Sequence, residues 1–257
     1  MSRKLFKFET AFCCRTMVQV LLPEDGDRPL AFYLAMEEYV AWKYPEGDYF
    51  FVWRTGPSVI FGRNQDMEAE VNVPYCLDHG IRIYRRKSGG GCVYSDMGNL
   101  MHSCITSPGK DAAFVFYRYM QQIALALRRL GLEAEVSGRN DIMGGGRKVS
   151  GNAFHLLPKR CIIHGTMLYD TDLDVMTEAI TPSAEKLERK GVSSVRQRVG
   201  NLKDSLKGID MEAFSRHIVE TMCDGSVSLD GDDVERIREI SRGYMVGSFI
   251  KGRNPKH

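Results

Sequence analysis

Apolar residues recur along the chain at spacings that predict strands in its middle and helices towards its ends. Val115, Tyr119, Ile123 and Leu127 lie four residues apart, as on one side of an amphipathic helix. Gly131 follows where helices commonly end. The remaining predicted helices cover residues 30–43, 173–180, 184–190, 211–223 and 232–241.

Short β-rich runs bounded by turn residues lie between these helices. The predicted strands cover residues 18–22, 49–54, 58–61, 81–85, 93–94, 100–105 and 161–169. Strands 93–94 and 100–105 are expected to pair, and Gly144–Gly146 predict a hairpin tip between 141–143 and 147–149. Strands and helices do not alternate regularly. The pattern therefore predicts an α+β fold with a mixed, mainly antiparallel sheet and packed helices, rather than a Rossmann fold.

Composition sets the broad class. The chain has 257 residues, of which 43% are apolar and 26% charged, as in an ordinary globular domain. The formal net charge is only +2, which argues against a nucleic-acid partner. The apolar runs are shorter than the roughly 18 residues of a membrane span, so no membrane association is expected.

Cysteine usage indicates a reducing compartment. The chain has seven cysteines, an odd number, with irregular spacing and no CxxC pair. Structural zinc sites usually require paired cysteines, so none is expected here. Reduced thiols are typical of cytoplasmic proteins, and we expect a cytoplasmic location.

The first segment that carries chemistry is RRKSGGGCVYSDMGN, residues 85–99. Arg85, Arg86 and Lys87 precede three glycines, Gly89–Gly91. Glycines let backbone N–H groups turn towards an anion, and arginine suits phosphate or carboxylate. The spacing is not that of a Walker P-loop. The segment is consistent with a phosphate site or with a glycine-rich turn that carries a solvated basic face.

The second segment is GRNDIMGGGRKVSGNA, residues 138–153. Lys148 lies on a predicted strand among small residues, where a ligand can approach its ammonium and where the ammonium can neutralise a carboxylate or phosphate. Asp141 is a candidate Mg²⁺ ligand. The alternative is a polar hairpin with surface charges. Two such segments in one chain favour a shared anionic ligand, which the pattern alone does not name.

Both segments resemble signatures of the lipoate–protein ligase family. The first is similar to the family's RRxSGGGxVxxDxGN, and the second to SGRND followed by RKVSG. Further matches in the same order are LAMEE at 34–38, Trp53-Arg54, Gly62-Arg63, the HGT motif at 164–166 and GVSSVRQRVGNL at 191–202. The resemblance is collinear over about residues 17–255.

The resemblance implies an α+β catalytic domain, shared with biotin ligases, and a two-step reaction. Lipoate and ATP, with Mg²⁺, give lipoyl-AMP and pyrophosphate. The lipoyl group then passes to a lysine of a lipoyl domain, in 2-oxoacid dehydrogenase E2 subunits or glycine cleavage H protein. The biotin ligase loop GRGRxGR is absent.

The resemblance also implies roles for individual residues, with Lys148 as the catalytic residue. The nucleotide is assigned to Arg86, Gly91, Cys92, Val93, Tyr94 and Lys148. Lipoate is assigned to Ser88, Gly89, Gly90, Lys148, Gly151 and His164.

We expect residues 17–257 to form a single catalytic domain without the C-terminal accessory domain of two-domain ligases. A separate small accessory protein is therefore a candidate partner for adenylation. Residues 1–16 are expected to be an N-terminal extension, either added artificially or translated from an upstream start codon. A mitochondrial transit peptide is a weaker alternative, because the stretch is short and contains Glu9.

Three rival functions share these motifs. One is a lipoyltransferase that takes preformed lipoyl-AMP or lipoyl from another protein. A second is an acyltransferase that works through a cysteine thioester, but residues 136–141 and 181–183, where its two branches place that cysteine, hold none. Cys161, the only thiol near the second segment, is expected to pack in the core. The third rival is a non-catalytic binding protein, which the intact loops and Lys148 argue against.

Overall fold

Two β-sheets and the helices packed on them make up the part of the chain that the computed structural model describes, residues 17–24, 26–138, 140–180 and 198–252. The helices are α1 Leu30–Lys43, α2 Met67–Glu70, α3 Val73–Asp78, α4 Ala112–Arg129, α5 Leu173–Ala179, α6 Met211–Met222, α7 Gly231–Tyr244 and α8 Gly247–Lys251. No helix in these described ranges is long and apolar enough to cross a bilayer.

The larger sheet has the strand order β11-β1-β2-β6-β10-β9-β8-β7. Its strands are β1 Met17–Leu21, β2 Tyr49–Trp53, β6 Asn99–Thr106, β7 Ala134–Ser137, β8 Asp141–Gly144, β9 Arg147–Leu156, β10 Cys161–Leu168 and β11 Cys223–Ser228. Only β1 makes parallel pairs, with β2 and β11, and the remaining pairs are antiparallel. The expected α+β fold with a mainly antiparallel sheet is confirmed.

The smaller sheet contains β4 Arg82–Arg85, β3 Ser58–Phe61 and β5 Val93–Ser95, in that order. The predicted pairing of strands 93–94 and 100–105 is wrong, because β5 pairs with β3 while β6 pairs with β2 and β10. Between β5 and β6 the chain turns at Asp96, whose carboxylate accepts a hydrogen bond from the Gly98 N–H at 2.9 Å. This turn carries the chain from one sheet to the other.

Helices cover both faces of the larger sheet. The helix α4 buries its periodic apolar side, including Ile123 and Leu127, together with α6 on one face. The other face carries α1 and α7. Because both faces are covered, every residue of β6 and β10 is buried, and α1 is apolar nearly all round.

Several element boundaries differ from prediction. The helix α4 begins at Ala112 rather than at Val115, because the Asp111 carboxylate accepts hydrogen bonds from the N–H groups of the first turn. The helix α6 ends at Met222, and Cys223 starts β11. The predicted helix 184–190 lies outside the described residues. The hairpin tip is confirmed: Gly145 and Gly146 both have positive φ, as a primed turn requires.

Candidate active site

A cavity of about 670 Å³ opens between the two sheets. Its lining includes two apolar walls that belong to different parts of the core. The first wall consists of Leu34, Trp53, Ile60 and Met101. The second consists of Leu168, Met176, Ile180 and Val199. Polar and charged side chains complete the lining, so the cavity suits a ligand with apolar and anionic portions.

Two cations share one carboxylate in the lining. The Lys148 ammonium lies 2.8 Å from Oδ1 of Asp141, and the Arg198 guanidinium donates to Oδ2 of the same residue. All three side chains line the cavity, and those of Lys148 and Asp141 are mostly buried. The site therefore holds one positive charge in excess, which favours an anionic ligand.

A β-bulge directs Lys148 into the cavity. The register of β8 and β9 shifts after the Ile142–Ser150 pair, so that Met143 faces Lys148 and Val149 is the extra residue. Val149 packs in the core while Lys148 points to the opposite face. The bulge changes the alternation of the strand, so that Lys148 and the position of Gly151 share one face.

Gly151 leaves room for the lysine side chain. A Cβ at this position would lie 2.6 Å from Nζ and 2.8 Å from Cε of Lys148. Any larger residue would displace the ammonium. The requirement for a small residue beside Lys148 is therefore steric.

Arg86 shapes the SGGG loop from within. Its guanidinium donates to the carbonyls of Ile60, Gly89 and Gly91 at 2.8–3.0 Å, and its Nε donates to Oγ of Ser88 at 2.9 Å. Complete burial lowers the pKa of Arg86 to about 10, so the side chain is still a cation at neutral pH. Arg86 lines the cavity, and it also ties the loop carbonyls back towards itself.

The flanking cations Arg85 and Lys87 serve other contacts, which corrects the expectation of three cations at one anion site. Arg85 stacks on Phe61 and donates to three carbonyls: those of Arg63 and Gln65 in one loop, and that of Ile250 near the other end of the chain. Lys87 pairs with Glu38 at 2.7 Å and lies over the Tyr244 ring. Neither residue lines the cavity.

His164 is held by a buried polar network. Its Nδ1 lies 2.9 Å from Oε2 of Glu37, and its Nε2 lies 2.7 Å from Oγ of Ser88. Ser103 donates to the Glu37 carboxylate at 2.6 Å and accepts from the Trp53 indole at 3.0 Å. A neutral ring that donates from Nδ1 and accepts at Nε2 satisfies these contacts, and it fixes the orientation of the ring at the cavity wall.

The structure brings most predicted site residues together. Those that line the cavity are Arg86, Gly91, Cys92, Val93, Tyr94, Asp141, Lys148, Gly151 and His164. Ser88, Gly89 and Gly90 lie outside the lining and contact Arg86 instead. Arg198 and Glu37 were not predicted as site residues, although both belong to motifs that the resemblance identified. The sequence signal was the pair Glu37-Glu38, two carboxylates in a helix that is otherwise largely apolar.

Asp141 does not fit the expected role of a magnesium ligand in this arrangement. Both of its oxygens face cations, Lys148 and Arg198, which compete with a metal ion. Among the residues that the structure describes, no group of three or more histidine, cysteine or acidic side chains is placed to hold a metal. We therefore derive no catalytic step through a protein-held metal.

Comparison with known proteins decides the family. The family model described as the lipoyl protein ligase A/B catalytic domain matches residues 29–223. The chain belongs to this family. The relatives of this lipoyl protein ligase domain include lipoate–protein ligase 1 of Staphylococcus aureus, 39% identical over 231 residues, which cover 87% of this chain and 70% of the relative. Lipoate-protein ligase LplJ of Bacillus subtilis is 40% identical over 233 residues, with the same coverage.

A solved structure agrees with this assignment. The domain superposes with a TM-score of 0.80 and 26% identity on a chain from an archaeal lipoylation system, described as a bipartite lipoate protein ligase and its E2 lipoyl domain from Thermoplasma acidophilum. The match covers 94% of this chain and 99% of the other. The resemblance inferred from the motifs is confirmed, and with it the enzyme class, a lipoate–protein ligase.

Proposed function

We propose that this ligase activates lipoate with ATP to lipoyl-AMP and transfers the lipoyl group to a lysine of a lipoyl domain. The observation that carries the proposal is the place of Lys148. Its ammonium lies in a cavity with two separate apolar walls, next to a second cation. In an acyl adenylate, an apolar acyl chain and an adenine nucleoside are joined through an anionic phosphate. The cavity likewise combines two apolar walls with two cations.

We assign the acyl chain to the first wall and the adenosine to the second. The first wall, with Trp53 and Leu34, offers a deeply buried surface suited to an alkyl chain and a dithiolane ring. Cys92, in the nucleotide loop, packs against the cluster that forms the second wall. The lipoate carboxylate and the α-phosphate would then meet at Lys148.

The chemistry follows from this placement. The Lys148 ammonium offsets the repulsion between carboxylate and phosphate, and it stabilises the charge that develops as the carboxylate attacks phosphorus. The product is a mixed anhydride, whose carbonyl is already activated. A lysine amine of the acceptor attacks this carbonyl and AMP leaves, so no protein nucleophile is required. We propose that Mg²⁺ enters with the phosphates of ATP as their counter-ion.

The partners are proposed from the relatives. The Thermoplasma ligase is described with its E2 lipoyl domain and as bipartite. We propose lipoyl domains of 2-oxoacid dehydrogenase E2 subunits and glycine cleavage H protein as acceptors. A separate small accessory protein is proposed to support adenylation. The described cysteines are free thiols, which supports the proposed cytoplasmic location.

The proposal is tested by incubating the chain with ATP, Mg²⁺, lipoate and a purified lipoyl domain, with and without an accessory small-domain protein. Intact-mass analysis of the acceptor should show one lipoyl group, dependent on ATP and on the acceptor lysine. An acceptor lysine replaced by arginine is the matched control. Modification from preformed lipoyl-AMP but never from ATP plus lipoate would instead identify a lipoyltransferase.

A further inference from the structure

Arg198 presents a second cation to the cavity beside the catalytic lysine. Its side chain is 26% exposed and donates to the Asp141 carboxylate, whose other oxygen accepts from Lys148. The charge of Asp141 is thus divided between two cations. Both cations line the cavity, where they can contact a polyphosphate ligand.

The backbone fixes Arg198 at this place. Val199 forms a parallel bridge with Lys148, and the Gly200 N–H donates to the Lys148 carbonyl at 3.0 Å. Two residues further, the Leu202 N–H donates to the Leu168 carbonyl at 2.7 Å. Arg198 therefore starts a segment pinned to the edge of the cavity, and its guanidinium is held within reach of the same ligand as Lys148.

Lys148 and Arg198 differ in shape and exposure, which suits them to different parts of the ligand. Lys148 is a compact charge, and its side chain is mostly buried beside Gly151. Arg198 is more exposed and offers a planar fork, which suits two phosphate oxygens at once. One lysine does not balance the charge of a triphosphate, whereas the product adenylate carries a single phosphate charge.

We infer that Arg198 is a further catalytic residue, which binds the β- and γ-phosphates of ATP and stabilises the departing pyrophosphate. The inference rests on the proposed function. As the carboxylate oxygen bonds to the α-phosphorus, the bond from that phosphorus to the bridging oxygen breaks. The electron pair stays on the pyrophosphate, whose added charge Arg198 offsets. Once pyrophosphate leaves, the guanidinium returns to Asp141.

The test compares two ligands on the same variants by equilibrium binding. ATP carries the β- and γ-phosphates, and a non-hydrolysable lipoyl-sulfamoyl adenosine lacks them. For Arg198→Ala we expect ATP affinity to fall about tenfold or more, as for loss of a charge-assisted hydrogen bond. Affinity for the adenylate analogue should stay within about twofold. Arg198→Lys should recover part of the ATP affinity, and Arg238→Ala, a surface arginine paired with Glu235, is the control.

Each other outcome overturns the inference. Unchanged ATP affinity in Arg198→Ala would mean that the guanidinium does not contact the polyphosphate. Equal losses for both ligands would mean that Arg198 merely orders Asp141 and Lys148. If the wild-type chain fails to bind the adenylate analogue at all, the proposed function fails as well, and that result is visible before any variant is made.

Discussion

The two glycine-rich segments look alike in sequence but use their charges differently. In the first segment, Arg85 and Lys87 contact other parts of the protein, and Arg86 ties back the carbonyls of its own loop. In the second, a β-bulge turns Lys148 into the cavity beside Asp141. The first segment contributes to the cavity lining, and the second supplies the cation that faces the ligand.

The difference shows that a cation's role depends on what lies within reach of its side chain, and local composition does not reveal this. Loop carbonyls that turn inwards need donors, and buried carbonyls left without them are costly. Arg86 supplies those donors. Lys148 has a carboxylate as its partner, and a stronger anion can displace that partner.

The largest effect is expected for Lys148→Ala. Lipoyl-AMP formation should fall about a thousandfold, because the charge that develops at the phosphate loses its stabilising cation. Pyrophosphate release measures the loss, and circular dichroism checks the fold. Lys203→Ala, in an exposed pair with Asp170, should keep wild-type activity. Normal pyrophosphate release by Lys148→Ala would refute the assignment of this lysine.

Gly151→Ala should have the next largest effect. The added Cβ would meet the end of the Lys148 side chain, which can move at little cost in stability but away from the reacting groups. We expect kcat to fall about thirtyfold, with a thermal midpoint within about 3 °C of the wild type. Gly56→Ala, where the added atom meets open space, is the matched control. A large loss of stability with normal kcat would contradict this explanation.

Arg85→Met should show the opposite result, a loss of stability with little change in activity. The variant loses three carbonyl contacts that join separate parts of the chain, so the free energy of unfolding should fall by about 2–4 kcal/mol. The KM for ATP should change less than about threefold, because Arg85 does not line the cavity. Urea unfolding and steady-state kinetics measure the two effects. A large rise in KM without loss of stability would place Arg85 at the phosphates.

His102 lies on the buried strand β6, outside the cavity lining, and tests how burial changes the pKa of a side chain. Complete burial lowers its pKa to about 3, whereas the unfolded chain has a value near 6.5. Between these values the unfolded state binds the proton that the folded state rejects, so stability should fall as pH drops. The contribution is at most about 1.4 kcal/mol per pH unit. His102→Gln should flatten the urea-unfolding profile below about pH 6, and an unchanged slope would contradict the assignment.

The smallest effect is expected for Cys161→Ser. The thiol is buried outside the cavity lining, and burial raises its pKa to about 11. It is therefore neither an exposed nor an ionised nucleophile, and transfer activity should stay within about twofold of the wild type. Gel-based lipoylation of the acceptor measures this. Complete loss of transfer by a folded variant would restore the thioester mechanism.

The sequence pattern predicted those helices and strands that are determined by neighbouring residues. The bounds of α1 and β3 agree with the predicted ranges, since apolar spacing and turn residues define both. The strand β11 was missed because its sequence, CDGSVS, has little β character, and its partner β1 is distant in the chain. Register and pairing of this kind depend on tertiary contacts.

In the site, too, local motifs were predicted correctly and contacts between distant residues were not. Motif order identified Lys148, Gly151 and His164, but it could not show that Arg85 and Lys87 would be used elsewhere. Those contacts involve Ile250 and Tyr244, more than 150 residues away. Arg198 was missed for a similar reason, because its link to Lys148 runs through the carboxylate of Asp141.

The most direct test is a crystal structure of the chain with lipoyl-sulfamoyl adenosine. We expect the sulfamoyl group to lie within about 3.2 Å of Nζ of Lys148, while Arg85 keeps its carbonyl partners and Lys87 keeps Glu38. The acyl chain should contact Trp53 and the adenosine should contact Cys92. A sulfamoyl group bound by Arg85 or Lys87, with Lys148 still paired with Asp141 and away from the ligand, would contradict this prediction.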